Sequence, residues 1–324
     1  MIADGTLIAT PDGARPAETL RPGDEVMVLA DGPPSPRPLR WVGRREVDLA
    51  RHPSPARAAP VRIAAAALAP ETPSRDLLLS PDHPVLIDGL LFPARALANG
   101  ATVARLIAPA RVGYVSLELG RPGLLLAEGA AVSSYLDVGD RGEVAGRRGG
   151  APDLTAPPSA TAIETWARRA GMAPRLDLAS ILSAHRPLVA RARAMGWSIS
   201  DDPALAVLAD DAPAPLVRFS IGHYQARLPA GARLVRLVSR SFVPAEHDPA
   251  IQDSRRLGIA VSAARLRGRS IAAGAFGRGW HLSEPDWRWT DGDARLTLRP
   301  LEAPASLEIR IVPGAPAGYW VPPP

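Results

Sequence analysis

The sequence predicts a mainly β protein in two domains. An all-β unit runs to residue 138, a linker covers 139–158, and a second β-sandwich-like unit with a short helical lead-in fills 159–324. Three observations predict this. Short β-branched or leucine-rich runs recur in both halves, separated by turn signals such as Pro11-Asp12-Gly13, Pro22-Gly23-Asp24, Asp31-Gly32 and Asp88-Gly89. Glycine and proline number 28 and 36 in 324 residues, about a fifth of the chain, which suits many short elements joined by turns. Between Gly139 and Pro158 the chain reads Gly-Asp-Arg-Gly, Gly-Arg-Arg-Gly-Gly and Ala-Pro-Pro, with almost nothing to bury, so the domain boundary falls there.

In the first domain the pattern draws strands at Thr6 to Thr10, Glu25 to Ala30, Leu39 to Val47, Leu77 to Leu79, Val85 to Ile87, Val103 to Ile107 and Val112 to Leu119. Helical turns fit Ala64 to Leu68 and Pro93 to Ala98. Past the linker, Ile163 to Ala170 and Pro187 to Met195 read as helices, the second opening with proline in its first turn and stopping at Gly196. Strand rhythm then returns at Leu216 to Ile221, Tyr224 to Leu228, Leu234 to Arg240, Gly258 to Ala263, Arg295 to Leu298 and Leu307 to Val312, most simply as a sandwich.

Composition excludes several functions. With no cysteine there is no disulfide, no thiolate metal site and no cysteine nucleophile. The six histidines are isolated in sequence, His52 among them, so neither a metal site nor a cofactor is expected. All 38 basic residues are arginine against 33 acids, and the excess of +5 is scattered, in pairs such as Arg44-Arg45 and Arg147-Arg148. Nucleic acid and anionic membrane are therefore not expected as partners, since both need clustered charge. Arginine in place of lysine throughout, with much alanine and proline, reads as the codon bias of a GC-rich bacterial genome. The N-terminus Met1-Ile2-Ala3-Asp4-Gly5 lacks the charge and apolar core of a signal peptide, and no run approaches the roughly 18 apolar residues of a membrane span, which leaves the cytoplasm as the default location.

Two blocks carry chemistry. The first is Gly5-Thr6-x-Ile8-x-Thr10-x-x-Gly13 followed by Glu18-Thr19-Leu20-Arg21-Pro22-Gly23-Asp24-x-Val26; the second is Asp76-Leu77-Leu78-Leu79-Ser80-Pro81-Asp82-His83-Pro84-Val85-Leu86, and Leu125 to Gly129 closes the unit. Together they resemble the Hint (Hedgehog/intein) family of self-processing β domains over about 135 residues. Peptide cleavage by an N-to-S or N-to-O acyl shift needs a nucleophile on the first residue of the unit, a general acid for the departing nitrogen, and a polar group that polarises the scissile amide. The resemblance implies the last two roles for His83 and Ser80 and places the nucleophile at Met1, whose thioether cannot form an ester or thioester. If Met1 is the true start, there is also no upstream bond to cleave. Inteins end in a His-Asn pair where this chain has Ser133-Ser134 and continues through Tyr135, and a histidine common in bacterial relatives is matched by Ser116 before Leu117-Glu118-Leu119. These departures predict a Hint fold that has lost its activity and serves as a binding or scaffold protein. The alternative is an active self-processing protein with a mis-assigned start. Asp24, after Gly23, reads as a turn residue only.

The most distinctive stretch of the second half runs from Gly279 to Gly292 and holds Trp280, Trp287 and Trp289, three of the seven tryptophans. Trp287 and Trp289 share one face of a strand by the two-residue period. Paired aromatics among acids and arginine are what sugar-binding sandwiches use, which makes glycan or protein the candidate partner of this half. With only four phenylalanines to fill its cores, the chain is expected to bury at least one of Trp287 and Trp289. Asp253 to Gly258 reads as a polar surface turn.

Overall fold

The computed structural model describes residues 1–30, 32–106, 110–137, 141, 168, 177–314 and 318–324, and divides into two compact units, Met1–Met195 and Gly196–Pro324. The predicted linker, apart from Arg141, and the predicted helix at Ile163 to Ala170, apart from Arg168, lie outside the described residues. Among the described residues no helix is long and apolar enough to cross a membrane.

The first unit contains β1 (Ile2–Ala3), β2 (Leu7–Thr10), β3 (Gly13–Pro16), β4 (Glu25–Ala30), β5 (Gly32–Asp48), β6 (Val61–Ile63), β7 (Leu77–Leu79), β8 (Pro84–Ile87), β9 (Leu90–Pro93), β10 (Val103–Arg105), β11 (Arg111–Leu119), β12 (Leu124–Ala127) and β13 (Ala130–Ser133), with the four-residue helix α1 (Pro55–Ala58). They form one curled sheet ordered β10-β6-β7-β1-β11-β5-β4-β12-β13-β8-β9, with β2 on β12 and β3 on β2. The curl comes from β5, whose 17 residues pair first with β4 and then, from Leu39 onward, with β11. The core holds Ile2, Ile8, Leu20, Val26, Ile63, Leu77, Leu79, Phe92, Val115, Leu117, Leu125 and Val132. On the opposite face of β11, Val112 and Tyr114 pack with Ala3, Val47, Leu49 and Ala59, so this strand is buried on both sides.

Local chemistry fixes the turns. Gly23 takes φ +93°, a conformation that suits glycine. Asp24 accepts the Arg21 N–H at 2.9 Å, the turn role expected of it. Glu128 ties three segments together: its side chain, 1% exposed, accepts from Leu7 N–H and Arg75 Nη2 at 2.7 Å each and from Ser74 Oγ at 3.2 Å. Burial alone would raise its carboxyl, but the Arg75 hydrogen bond, the Leu7 N–H and Ser74 together hold it below the ordinary 4.5.

The helix expected at Pro187 to Met195 is longer. As α2 (Leu178–Ala194) it starts two turns earlier, where Asp177 accepts from Ser180 N–H and Ser180 Oγ at 2.9 Å each, and it carries Pro187 in its interior. Asp177 supplies the N-cap that the proline seemed to replace. Ile181, Ala184 and Leu188 lie on one face and pack on the first unit's core, and Arg191 donates to the Ala66 carbonyl. The helix thus precedes the second β unit in sequence while packing with the first.

The second unit contains β14 (Ser198–Ser200), β15 (Ala206–Ala209), β16 (Ala212–Pro213), β17 (Leu216–Ser220), β18 (His223–Leu228), β19 (Leu234–Val238), α3 (Pro244–His247), β20 (Ala260–Leu266), β21 (Arg269–Ser270), β22 (Trp280–Ser283), β23 (Arg288–Thr290), β24 (Asp293–Thr297), β25 (Ala305–Ile311) and β26 (Tyr319–Val321). Sheet β16-β15-β19-β24 and sheet β17-β18-β25-β20-β23-β22, with β21 on β20, share one core: Val207, Val235, Leu237 and Leu296 from the first meet Tyr224, Ala226, Leu228, Leu307 and Ile309 from the second. This is the expected sandwich; β14 pairs with β26 apart from it.

Removing one member of a buried hydrogen-bonded network leaves the others unsatisfied, so Glu128→Ala should cost the first unit about 2–4 kcal/mol at neutral pH, with Glu128→Gln costing less. A carboxyl depressed in the folded state stabilises above its unfolded value of 4.5 and loses that contribution as pH falls through the lower folded value. Chemical denaturation from neutral pH downward should therefore show the gap between wild type and Glu128→Ala narrowing only below that point.

Candidate functional site

Two residues long, β1 lies between β7 and β11, with Ile2 facing Leu79 on one side and Val115 on the other. Apolar packing of Ile2 on both neighbours fixes the depth of residue 1. Ser80 N–H donates to the Met1 carbonyl at 2.9 Å, while the Met1 α-amine donates to Ser80 Oγ at 2.7 Å and stands 2.8 Å from His83 Nδ1. The structure thus brings together the three residues singled out from the motif, Met1, Ser80 and His83.

The Ser80 to His83 loop is itself held. His83 N–H donates to the Ser80 carbonyl and Ala94 N–H to the His83 carbonyl, each at 2.9 Å, and Arg95 N–H reaches the Pro81 carbonyl at 2.8 Å. Arg95 Nε also meets Asp82 Oδ1 at 2.5 Å. These clamps come from the helical turn Ala94–Leu97, which the sequence placed as Pro93 to Ala98 without any signal that it would brace the motif.

His83 is 7% exposed. Burial first, and then the charge of the neighbouring α-amine, hold its imidazole well below the ordinary 6.5, opposed by the Ser133 backbone. An ammonium can only donate, so Nδ1 is the acceptor and the ring proton sits on Nε2, which is buried with no hydrogen-bond partner of ordinary geometry. Val132 of β13 pairs with Val85 of β8, which carries Ser133 to the histidine. The two ends of the β unit therefore converge on one imidazole, a juxtaposition that follows from strand pairing and leaves no trace in the motif.

The departures noted in the sequence are also placed. Ser133 and Ser134 are both buried, and Ser134 Oγ accepts Gly123 N–H at 3.2 Å. Ser116 follows Val115, the partner of Ile2, and its buried Oγ has no hydrogen-bond partner among the described residues. Glu118, also buried, pairs with Arg141, whose guanidinium lies 5.3 Å from the Trp41 ring centroid. His52 Nδ1 accepts Ser54 N–H at 3.0 Å, and no cluster of three metal-ligating side chains occurs among the described residues.

In the second unit, Trp289 is 7% exposed and packs with Phe242, Leu257, Ala260 and Tyr319; Trp287 lies half-buried against the same cluster. Trp280 does not join them. Its Nε1 donates to the Arg295 carbonyl at 2.9 Å and its ring meets Phe276 edge-on at 4.8 Å. Asp253, Arg255 and Glu284 form an ion-paired surface turn.

Two measurements follow. At about pH 5.5, a unit below the ordinary histidine value, the His83 ring should still give the NMR shifts of a neutral imidazole. Because a depressed histidine stabilises fully above 6.5 and loses that contribution as pH falls below it, His83→Gln should flatten the acid side of the unfolding curve. For the tryptophans, Trp289→Ala should cost about 3–5 kcal/mol and lower the melting point of the second unit. A fully stable Trp289→Ala protein that selectively loses binding on a glycan array would contradict its role as a core residue.

Comparison with known proteins bears on the first unit. Residues 2–139 match the Hint domain family. Among solved structures, the bacterial intein-like domain from Clostridium thermocellum is similar at 14% identity, covering 42% of this chain and 99% of that one with a TM-score of 0.30. The MchDnaB-1 intein is similar at 14% identity, covering 42% of this chain and all of its own length with a TM-score of 0.29. No match was found among curated protein sequences. Residues 2–139 of this chain are a Hint domain.

Proposed function

We propose that this Hint domain keeps the pocket that grips the nitrogen of its first residue but no longer performs the acyl shift, and that the chain acts as a binding or scaffold protein. The observation that carries the reading is the Met1 nitrogen held between Ser80 Oγ and His83 Nδ1. In a peptide bond to a preceding residue, this nitrogen would be the leaving group. A thiol or hydroxyl on residue 1 would attack the preceding carbonyl carbon, its proton would pass to the imidazole, and the carbon–nitrogen bond would break as the imidazole returned that proton to nitrogen, leaving an ester or thioester and a free amine. A buried imidazole that is neutral near pH 7 suits such a relay.

Met1 stops the sequence at its first step. Its sulfur already carries two carbons and no proton, so attack would produce an acyl sulfonium with nothing to give the imidazole. The second reaction of the family is missing as well, because a serine hydroxyl at Ser134 has no amide nitrogen with which to close on its own carbonyl, and it is engaged by Gly123.

The test is a reconstruction. With a tag fused ahead of residue 1, Met1→Cys should undergo thiol-induced cleavage at that junction, and adding His83→Ala should slow it by about a hundredfold or more. The tagged chain with Met1 retained should keep its full mass by intact-mass spectrometry in thiol or hydroxylamine. Cleavage of that control would overturn the loss of activity, and Met1→Cys cleavage indifferent to His83→Ala would remove His83 from the reaction.

A further inference from the structure

The second unit has a surface that the residue-1 pocket does not involve. Among the described residues strand β17 ends its sheet, so one row of its main-chain N–H and C=O groups has no neighbouring strand there. Val217 and Phe219 of this strand and Ile221 in the turn after it are 54%, 58% and 72% exposed, with a register shift between Arg218 and Ser220 that leaves Phe219 bulged, more exposed apolar surface than a sheet edge ordinarily carries. The Phe219 ring lies 5.6 Å from that of His223, and Arg218, between the apolar positions, is exposed with its guanidinium 5.8 Å from the Tyr224 ring centroid.

Cationic side chains outnumber acidic ones on the outer face of the neighbouring strands. Pairing of Gln225 with Glu308 and of Glu308 with Arg265 puts these three on the outer face of the sheet, with Arg227 and Arg310. Glu308 is the acid there, and it already meets Arg310 at 2.8 Å and His223 at 3.3 Å. The Arg310 hydrogen bond, with added positive charge from Arg265 opposite, holds the Glu308 carboxyl below the ordinary 4.5, while Arg227 makes no ion pair among the described residues.

We propose that β17 is a docking edge for an extended segment of a partner protein that alternates apolar and acidic residues and adds to the sheet as a further strand. Main-chain hydrogen bonds to β17 would give affinity, apolar side chains would cover Val217 and Phe219, and acids on the other face would meet Arg218. Val217, opposite Gln225, lies on the cationic outer face, so the partner's apolar side chains cover that face while its arginines, within a Debye length, favour a segment of net negative charge. A second copy fits poorly, since pairing two β17 edges brings two arginine-bearing edges together. A nucleic acid would take the arginines but would leave the open main chain and the apolar alternation unused.

The test uses the full chain and a fluorescein-labelled peptide of about ten residues alternating valine and glutamate, long enough to span the strand, read by anisotropy. Saturable binding is expected, with no saturation for the same peptide interrupted by proline or with lysine replacing glutamate. Phe219→Ser and Arg218→Glu, both exposed and checked by circular dichroism, should each weaken the valine–glutamate peptide about tenfold. Arg218→Glu should in addition gain the lysine peptide. Failure of the valine–glutamate peptide to saturate, or equal binding of all three peptides, would overturn the proposal. So would tighter Phe219-dependent binding of a thymidine oligonucleotide, or sedimentation showing a dimer that Phe219→Ser dissolves.

Discussion

The first unit depends on the placement of a two-residue strand. Because Ile2 is buried between Leu79 and Val115, residue 1 has no freedom to choose its surroundings. Its carbonyl meets Ser80 N–H and its nitrogen meets Ser80 Oγ and His83 Nδ1. Apolar burial thus sets a position to within hydrogen-bond tolerance, and the polar contacts use a geometry that packing has already established. The same sheet carries β13 beside β8 and so brings the far end of the domain to the same histidine. Convergence of both ends is a property of strand order, and it would survive any substitution that left the core intact.

Electrostatics then define what the histidine can do. Buried beside a positive nitrogen, the His83 ring is held well below 6.5 and is neutral at physiological pH. A neutral ring cannot act as a standing acid; it needs a proton from whatever occupies residue 1. The cost of this arrangement is visible in Nε2, which is buried and meets the Ser133 backbone only outside ordinary hydrogen-bond geometry, and in the buried Ser116 Oγ, which has no hydrogen-bond partner among the described residues. Orphaned polar atoms are destabilising.

Much of this was legible in the sequence. The strand rhythm pointed to a mainly β fold, the motif that resembles the Hint family singled out Ser80 and His83, and the shortage of phenylalanine pointed to burial of at least one of Trp287 and Trp289, of which Trp289 is the buried one. What escaped has physical causes. Strand β5 was read only from Leu39, because prolines at 33, 34, 36 and 38 argue against a strand. They are tolerated because that half of β5 pairs with β4 alone and forms a local edge, where a missing N–H costs nothing. Helix α2 was cut short because Pro187 resembles a start, whereas the decisive cap was Asp177 and the decisive energy was packing of Ala184 and Leu188. The brace from Ala94 and Arg95 and the approach of Ser133 depend on pairings across the chain, which no local pattern records.

On the proposed reading, the pocket outlasts its nucleophile because of what holds it. The hydrogen bonds described for residue 1 are made by its backbone, with the Ile2 side chain buried beside it, and the loop carrying His83 is fixed by backbone bonds to Ala94 and Arg95. The side chain of residue 1 contributes little to this frame; the Met1 thioether packs, half-buried, near Leu78 in a small cluster on the other face of β11. A thiol or hydroxyl in its place would be smaller and would pack no better. The polar frame around residue 1 therefore places no demand on the one atom that the chemistry requires. A domain of this kind can lose its reaction in a single substitution and keep its fold, its buried histidine and the geometry between them.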